Sequence, residues 1–208
     1  LIPLIKQRSK VRRTHTEARA FRQKTLLKAA LVTVAKYDIE GATVARICAE
    51  AGASRGLITH YFESKEDLLV ASLSSLFDEA QILKELIAGD DSLTAVERIR
   101  RIAYSSFEAP IYSWEMAAAW QAFTNTSRHN SAYKEPIRLS VQKFSDTASP
   151  LFELIALQQP LRLDSKDAAR GLFILINGLW NSMAADDNGL EPQEAIMQCN
   201  VYISGCLT

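Results

Sequence analysis

Apolar residues recur along this chain at three- and four-residue intervals, without strand-like alternation, and that period predicts an all-α protein. The first periodic segment, 17–37, sets Leu26, Leu27, Ala30 and Val34 on one stripe, and Gly41 follows its end. Two short helices are expected next, 43–51 ended by Gly52 and 54–62. Ser64 opens a long one, with Leu68, Leu69, Leu73, Leu76, Ala80 and Leu83 leading toward Gly89. Beyond it the pattern predicts helices at about 92–108, 112–128, 133–158, 165–186 and 191–206, with Pro110, Pro136, Pro160 and Pro192 near the breaks. Pro136 and Pro150 predict that the 133–158 span starts at Pro136 and kinks near Pro150, and 186–189 (DDNG) reads as a stop signal. Residues 1–16 are basic and weakly patterned, a flexible arm; 17–63 read as a three-helix helix-turn-helix domain and 64–208 as a C-terminal helical bundle.

The pair of short helices carries the clearest signal. Gly52 permits a left-handed turn between them, and Cys48, four residues earlier, is small enough for close helix approach. Ile47, Ala51, Leu57, Ile58 and Tyr61 or Phe62 supply a compact apolar seam, while Thr43 and Ser54 stand where hydroxyls cap helix N-termini. The second helix is polar outward. In a helix-turn-helix its first residues face base edges in the major groove, so Arg55 is suited to guanine O6 and N7, and Gly56 leaves room for the duplex. Thr59, His60 and Tyr61 suit phosphate or thymine-methyl contacts, and Lys65, in a capping-box-like Ser64-Lys65-Glu66-Asp67, favours a phosphate. Taken singly, Arg55 reads more readily as a solvated arginine and His60 as a packing residue; the turn glycine, two caps and basic upstream helix change that by agreeing.

Charge supports the division. The chain has no formal net charge, yet residues 1–72 carry 13 Lys and Arg against 7 Asp and Glu, a net of +6, and the remainder carries 11 against 17, a net of −6. This asymmetry fits a surface built for a polyanion; a basic tail on an ordinary domain is the alternative.

Residues 22–69 resemble the DNA-binding domain of the TetR family, above all 47–69 (ICAEAGASRGLITHYFESKEDLL), with Cys48, Ala53 and Thr59 departing from the family's usual alanine, valine and tyrosine. The resemblance implies a homodimer on double-stranded operator DNA, contacting it through Thr43, Ser54, Arg55, Gly56, Thr59, His60, Tyr61 and Lys65, with a helical body that binds a small-molecule effector. Such proteins are most often repressors released by that effector. Residues 58–62 (ITHYF), 120–123 (WQAF) and 177–180 (NGLW) are similar to the choline-responsive, BetI-like branch, which implies choline or a related cation as effector.

The body holds most of the aromatic residues, with acidic residues interspersed. Tyr104, Phe107, Glu108, Trp114, Glu115, Trp120, Phe123 and Trp180 are the candidate effector contacts, since aromatic faces beside a carboxylate hold a quaternary ammonium. Ordinary core packing is the competing reading of each. Residues 168–185 are apolar nearly all round, and Gly171 and Gly178 share one face. With 137–157 this segment either forms a four-helix dimer interface or is buried within one monomer.

Other classes find little support. His15, His60 and His129 form no metal or catalytic motif, and no phosphate-binding glycine loop appears, so neither an enzyme nor a cofactor is expected. An interaction module with a vestigial helix-turn-helix is disfavoured by the presence of Arg55 and Lys65. Cys48, Cys199 and Cys206 read as buried free thiols of a cytoplasmic protein; no apolar leader follows the basic N-terminus, and the run 171–180 is too short for a membrane span.

Overall fold

The computed structural model describes residues 15–185 and 190–207. Among these the chain forms α1 (His15–Gly41), α2 (Val44–Ala51), α3 (Arg55–Tyr61), α4 (Lys65–Ala88), α5 (Ala95–Ser105), α6 (Trp114–Thr126), a 3-10 turn η1 (Ser131–Tyr133), α7 (Lys134–Ala156), α8 (Ser165–Ala185) and α9 (Pro192–Cys206). The all-α expectation holds and each expected helix is found. The expected arm lies outside the described residues except at His15 and Thr16, as does the 186–189 stop signal.

The helix boundaries follow from local chemistry. The hydroxyls of Thr43, Ser54 and Ser64 accept from the backbone N–H groups of Arg46, Leu57 and Asp67, and so cap α2, α3 and α4. Gly52 sits at φ 59°, the left-handed turn expected of it. The regular part of α1 ends where Asp38 adopts φ 60° and ψ 175°, a conformation costly for a residue with a Cβ. Its carboxylate accepts from the Ile39 N–H at 2.6 Å, which compensates in part. α7 begins at Lys134, slightly before the expected Pro136, because proline in a first turn lacks only an N–H that would be unpaired anyway. It runs on through Pro150 as one helix.

Two groups of helices pack within one continuous hydrophobic core. Leu26, Ala30 and Val34 of α1 are buried with Ile47 of α2, Ile58 of α3, and Leu68 and Leu69 of α4. In the second group α7 packs against α8, α4 and α5, and α9 closes it against α8 and α5. α4 packs against α1 at one end and against α5 and α7 further on, and so links the two groups. The structure adds another link: α1 packs extensively along α6, and Asn130, just after α6, donates to Glu66 in the first turn of α4 at 2.6 Å.

The two glycines of α8 do different things. Gly171 faces α9, where Tyr202 donates its hydroxyl to the Ala168 carbonyl at 3.0 Å; a Cβ at Gly171 would overlap that hydroxyl. Gly178 is exposed, with open space around it. Gly171→Ala is therefore expected to destabilise by about 1–3 kcal/mol through overpacking. Thermal unfolding would show this as a midpoint lowered by roughly 2–4 °C per kcal/mol, and an unchanged midpoint would show that α9 yields without cost. Cys199 and Cys206 are buried beside the same packing, and burial pushes the Cys199 thiol up to about 12.

Candidate nucleic-acid interface and internal cavity

α3 is held by one side and open on the other. Ile58 is buried and Leu57 half-buried, whereas Ser54, Arg55, Gly56, Thr59 and His60 are all exposed. The exposed residues form a short polar row whose first member after the cap is a guanidinium, the arrangement needed to enter a major groove. A Cβ at Gly56 would meet nothing nearer than the Ser54 hydroxyl at 4.0 Å, so packing within the protein does not require glycine there. Tyr61 is half-buried, and its hydroxyl lies 3.4 Å from the Arg19 carbonyl of α1. Thr43 is exposed at the start of α2.

Lys65 has a structural task that sequence reasoning missed. Its ammonium donates to the Ile39 carbonyl at 2.9 Å and reaches that of Glu40 at 3.5 Å, which ties the start of α4 to the corner after Asp38. Arg46 holds the same corner, donating to the Gly41 carbonyl at 2.8 Å with its guanidinium 4.2 Å from the centre of the Tyr37 ring. Lys36 of α1 pairs with Glu50 of α2 at 2.9 Å. The α1–α2 corner is thus held by basic residues from three helices.

The second feature is a narrow cleft between α4, α7, α8 and the loop after α5. Phe77, Phe144, Phe173 and Trp180 contribute aromatic surface, and Leu76, Ala80, Ile111 and Ile176 extend it. Its polar lining comes from Gln81, Lys84, Lys143, Ser106, Ser140 and Asn177. Trp180 is fixed by donating its indole N–H to the Ser106 carbonyl at 2.8 Å, and Phe77 packs edge-on against Trp120 of α6 with ring centres 5.0 Å apart. A mostly apolar cleft with a few placed polar groups between helices is the form of a small-molecule site.

Both halves of the chain match family models. Residues 26–72 match the bacterial regulatory proteins of the tetR family, and residues 95–208 match the C-terminal domain of the BetI-type transcriptional repressor. The chain is a TetR-family transcriptional regulator with a BetI-type C-terminal domain. A curated relative from Chromohalobacter salexigens, the HTH-type transcriptional regulator BetI 2, is 30% identical over 90% of this chain and 89% of its own. Among solved structures, a transcriptional regulator from Pseudomonas aeruginosa PAO1 aligns at TM-score 0.76 and 24% identity, covering 89% of this chain and 90% of that one. Another from Saccharomonospora viridis, solved with choline bound, aligns at TM-score 0.78 and 19% identity, covering 90% of this chain and 98% of that one. Membership makes this TetR-family regulator a DNA-binding protein with an effector-binding body, in a family of regulators rather than enzymes. Among the described residues no helix is long and apolar enough to cross a membrane.

Of the eight body residues singled out in the regulator's sequence, Trp180 alone lines the cleft. Trp120 lies one ring behind it, against Phe77. Phe107 and Phe123 are core residues, Phe123 edge-on to Tyr133 at 5.1 Å. Tyr104 and Glu108 border a separate hollow beside α9, where Asn200 donates to the Tyr104 hydroxyl at 2.6 Å. Trp114 is 40% exposed at the start of α6. Next to it the Glu115 carboxyl is held below its ordinary range, chiefly by a backbone N–H and the Ser113 hydroxyl, with Lys36 and Lys28 of α1 adding to this. The cleft residues that were not singled out include Phe77 and Lys84 of α4, whose seven-residue spacing puts them on one helix face. A lysine in register with a phenylalanine on an apolar stripe was the available signal.

Proposed function

We propose that this regulator is a homodimeric repressor, seated on a (pseudo)palindromic operator by two α3 helices and released when a small molecule fills the cleft. The exposed polar row of α3, on a helix whose opposite side is locked into the core, carries the DNA-reading part. In this reading Arg55 reads a base, and Ser54, Gly56, Thr59 and His60 lie along the groove. Thr43, Tyr61 and Lys65 position the backbone, Lys65 through the corner it holds. Half-sites on one DNA face lie about one turn, roughly 34–36 Å, apart or at wider multiples.

The second copy docks on the face formed by the last two helices. Ile174 of α8 and Met197 and Val201 of α9 are 62%, 54% and 64% exposed, and the exposed Gly178 and Gly205 lie among them. Apolar side chains interspersed with small residues let two helix pairs approach closely. This differs from the pairing of 137–157 with 168–185 considered from sequence: within one chain α7 and α8 pack on each other.

The branch resemblance, and the choline held by the Saccharomonospora viridis neighbour, make choline or a related cation the first effector to try. The residues around the cleft favour a different chemical class.

Selection of bound DNA from a random pool tests the DNA-reading part. Arg55→Ala should relax preference at one base position, at a cost of about 1–3 kcal/mol. Gly56→Ala should stabilise the free protein by roughly 0.5–1 kcal/mol while weakening operator binding, because the new methyl faces the duplex rather than the protein. An unchanged selected sequence for Arg55→Ala, or full affinity for Gly56→Ala, would remove α3 as the reader.

A further inference from the structure

We infer that the cleft between α4, α7 and α8 binds an amphipathic anion, a carboxylate or similar acidic head on an apolar body, with Lys84 as its counter-charge. The inference rests on the cleft being the effector site and names the class of effector.

The charges around the cleft are one-sided. Lys84 and Lys143 line it, and no Asp or Glu does among the described residues. Lys143 is already neutralised, its ammonium 2.8 Å from an Asp78 carboxylate oxygen. Gln81 is likewise committed, donating to Glu85 at 2.7 Å and to Thr147 at 2.8 Å. Lys84 differs. Its ammonium lies 5.3 Å from the centre of the Phe144 ring, and no carboxylate forms an ion pair with it among the described residues. Lys84 is half-buried, and desolvation pushes its pKa down to about 8, as expected for a cation partly withdrawn from water without a compensating charge. An unpaired cation in such a place opposes folding, and an incoming anion would remove that cost.

The same arrangement disfavours a cation. A quaternary ammonium would find the Phe144 face already occupied by the Lys84 ammonium. It would also meet Lys84 itself as a like charge. The apolar part of a ligand has ample surface on Phe77, Phe173 and Trp180. An acidic head at Lys84 with an apolar body along those rings satisfies both halves of the cleft.

Isothermal titration of the full chain with three probes of equal chain length tests this: octanoate, octanol and octyltrimethylammonium, with choline as a fourth. Octanoate should bind roughly tenfold or more tightly than the trimethylammonium probe, since charge-assisted hydrogen bonds are the strong ones. Lys84→Met should weaken octanoate by a similar factor, leave octanol unchanged or tighter, and raise the unfolding temperature of the free protein. Lys84→Arg should keep the preference for the anion. Tighter binding of octyltrimethylammonium or choline, absence of saturable octanoate binding, or octanoate affinity indifferent to Lys84→Met would each overturn the assignment. Operator affinity measured in parallel separates the two readings. Lys84-dependent octanoate binding that leaves operator affinity unchanged supports the cleft's anion chemistry and removes its role as effector site.

Discussion

Val201→Arg should yield a folded monomer whose operator affinity is lower by roughly two orders of magnitude or more. Two half-sites bound by linked readers gain about 10²–10⁴ over one, and that gain is lost when the readers separate. Val201 is 64% exposed in the single chain, so a charged side chain there meets water and the fold of the monomer should be unaffected. In a two-fold dimer each interface residue acts twice, so one substitution places two new arginines at the contact, where burying a charge without a partner is costly. Ile174→Arg on α8 should act in the same way. Leu157→Arg is the control: Leu157 is 83% exposed at the end of α7, is not one of the residues assigned to the proposed face, and should leave the dimer intact. Sedimentation gives the mass, and fluorescence anisotropy gives the operator affinity. A Val201→Arg protein that sediments as a dimer would move the interface elsewhere, and the exposed leucines of α7, Leu139 and Leu154, would be next.

The helix-turn-helix was legible in the sequence because each of its features is local. Gly52 must turn, Thr43, Ser54 and Ser64 must cap, and each does so within three residues of its own position. The body was legible as helices but not as a site. A cleft is a long-range object: Lys84 meets Phe144 across sixty positions, and Trp180 meets Ser106 across more than seventy. Aromatic content and nearby acids do not say which rings face inward, so Phe123, a core residue, is indistinguishable in sequence from Trp180, and Phe77 and Lys84 carry no such mark. Lys65 illustrates a related limit. Its charge and its place at a helix start suggested a phosphate, and its role in holding the Ile39 and Glu40 carbonyls depends on the Asp38 turn bringing them near.

The effect of an occupied cleft on DNA should pass through Phe77 and Trp120. Phe77 of α4 both lines the cleft and meets the Trp120 ring of α6, at 5.0 Å and nearly perpendicular. α6 in turn packs along α1, and the loop after it holds Glu66 at the first turn of α4 through Asn130. A ligand that displaces Phe77 therefore pushes on α6 as well as α4, and both reach the three-helix unit that carries α3. A ligand can shift the equilibrium only by its difference in affinity between the two arrangements, and about 1–3 kcal/mol, or 5–150-fold in operator affinity, suffices. With octanoate as probe, Trp120→Leu should leave operator affinity without ligand within about threefold and reduce the ligand's effect on it toward unity. Octanoate should still bind, because Trp120 does not line the cleft. The reverse measurement must agree: operator DNA should weaken octanoate binding to the native protein by the same factor, and should not do so in Trp120→Leu. Combining Phe77→Leu with Trp120→Leu closes a double-mutant cycle, and a coupling energy near zero between them would mean that the two rings touch without transmitting anything. Should Trp120→Leu keep the full response, the signal runs along α4 alone, and the α1–α6 contact serves only to hold the two groups together.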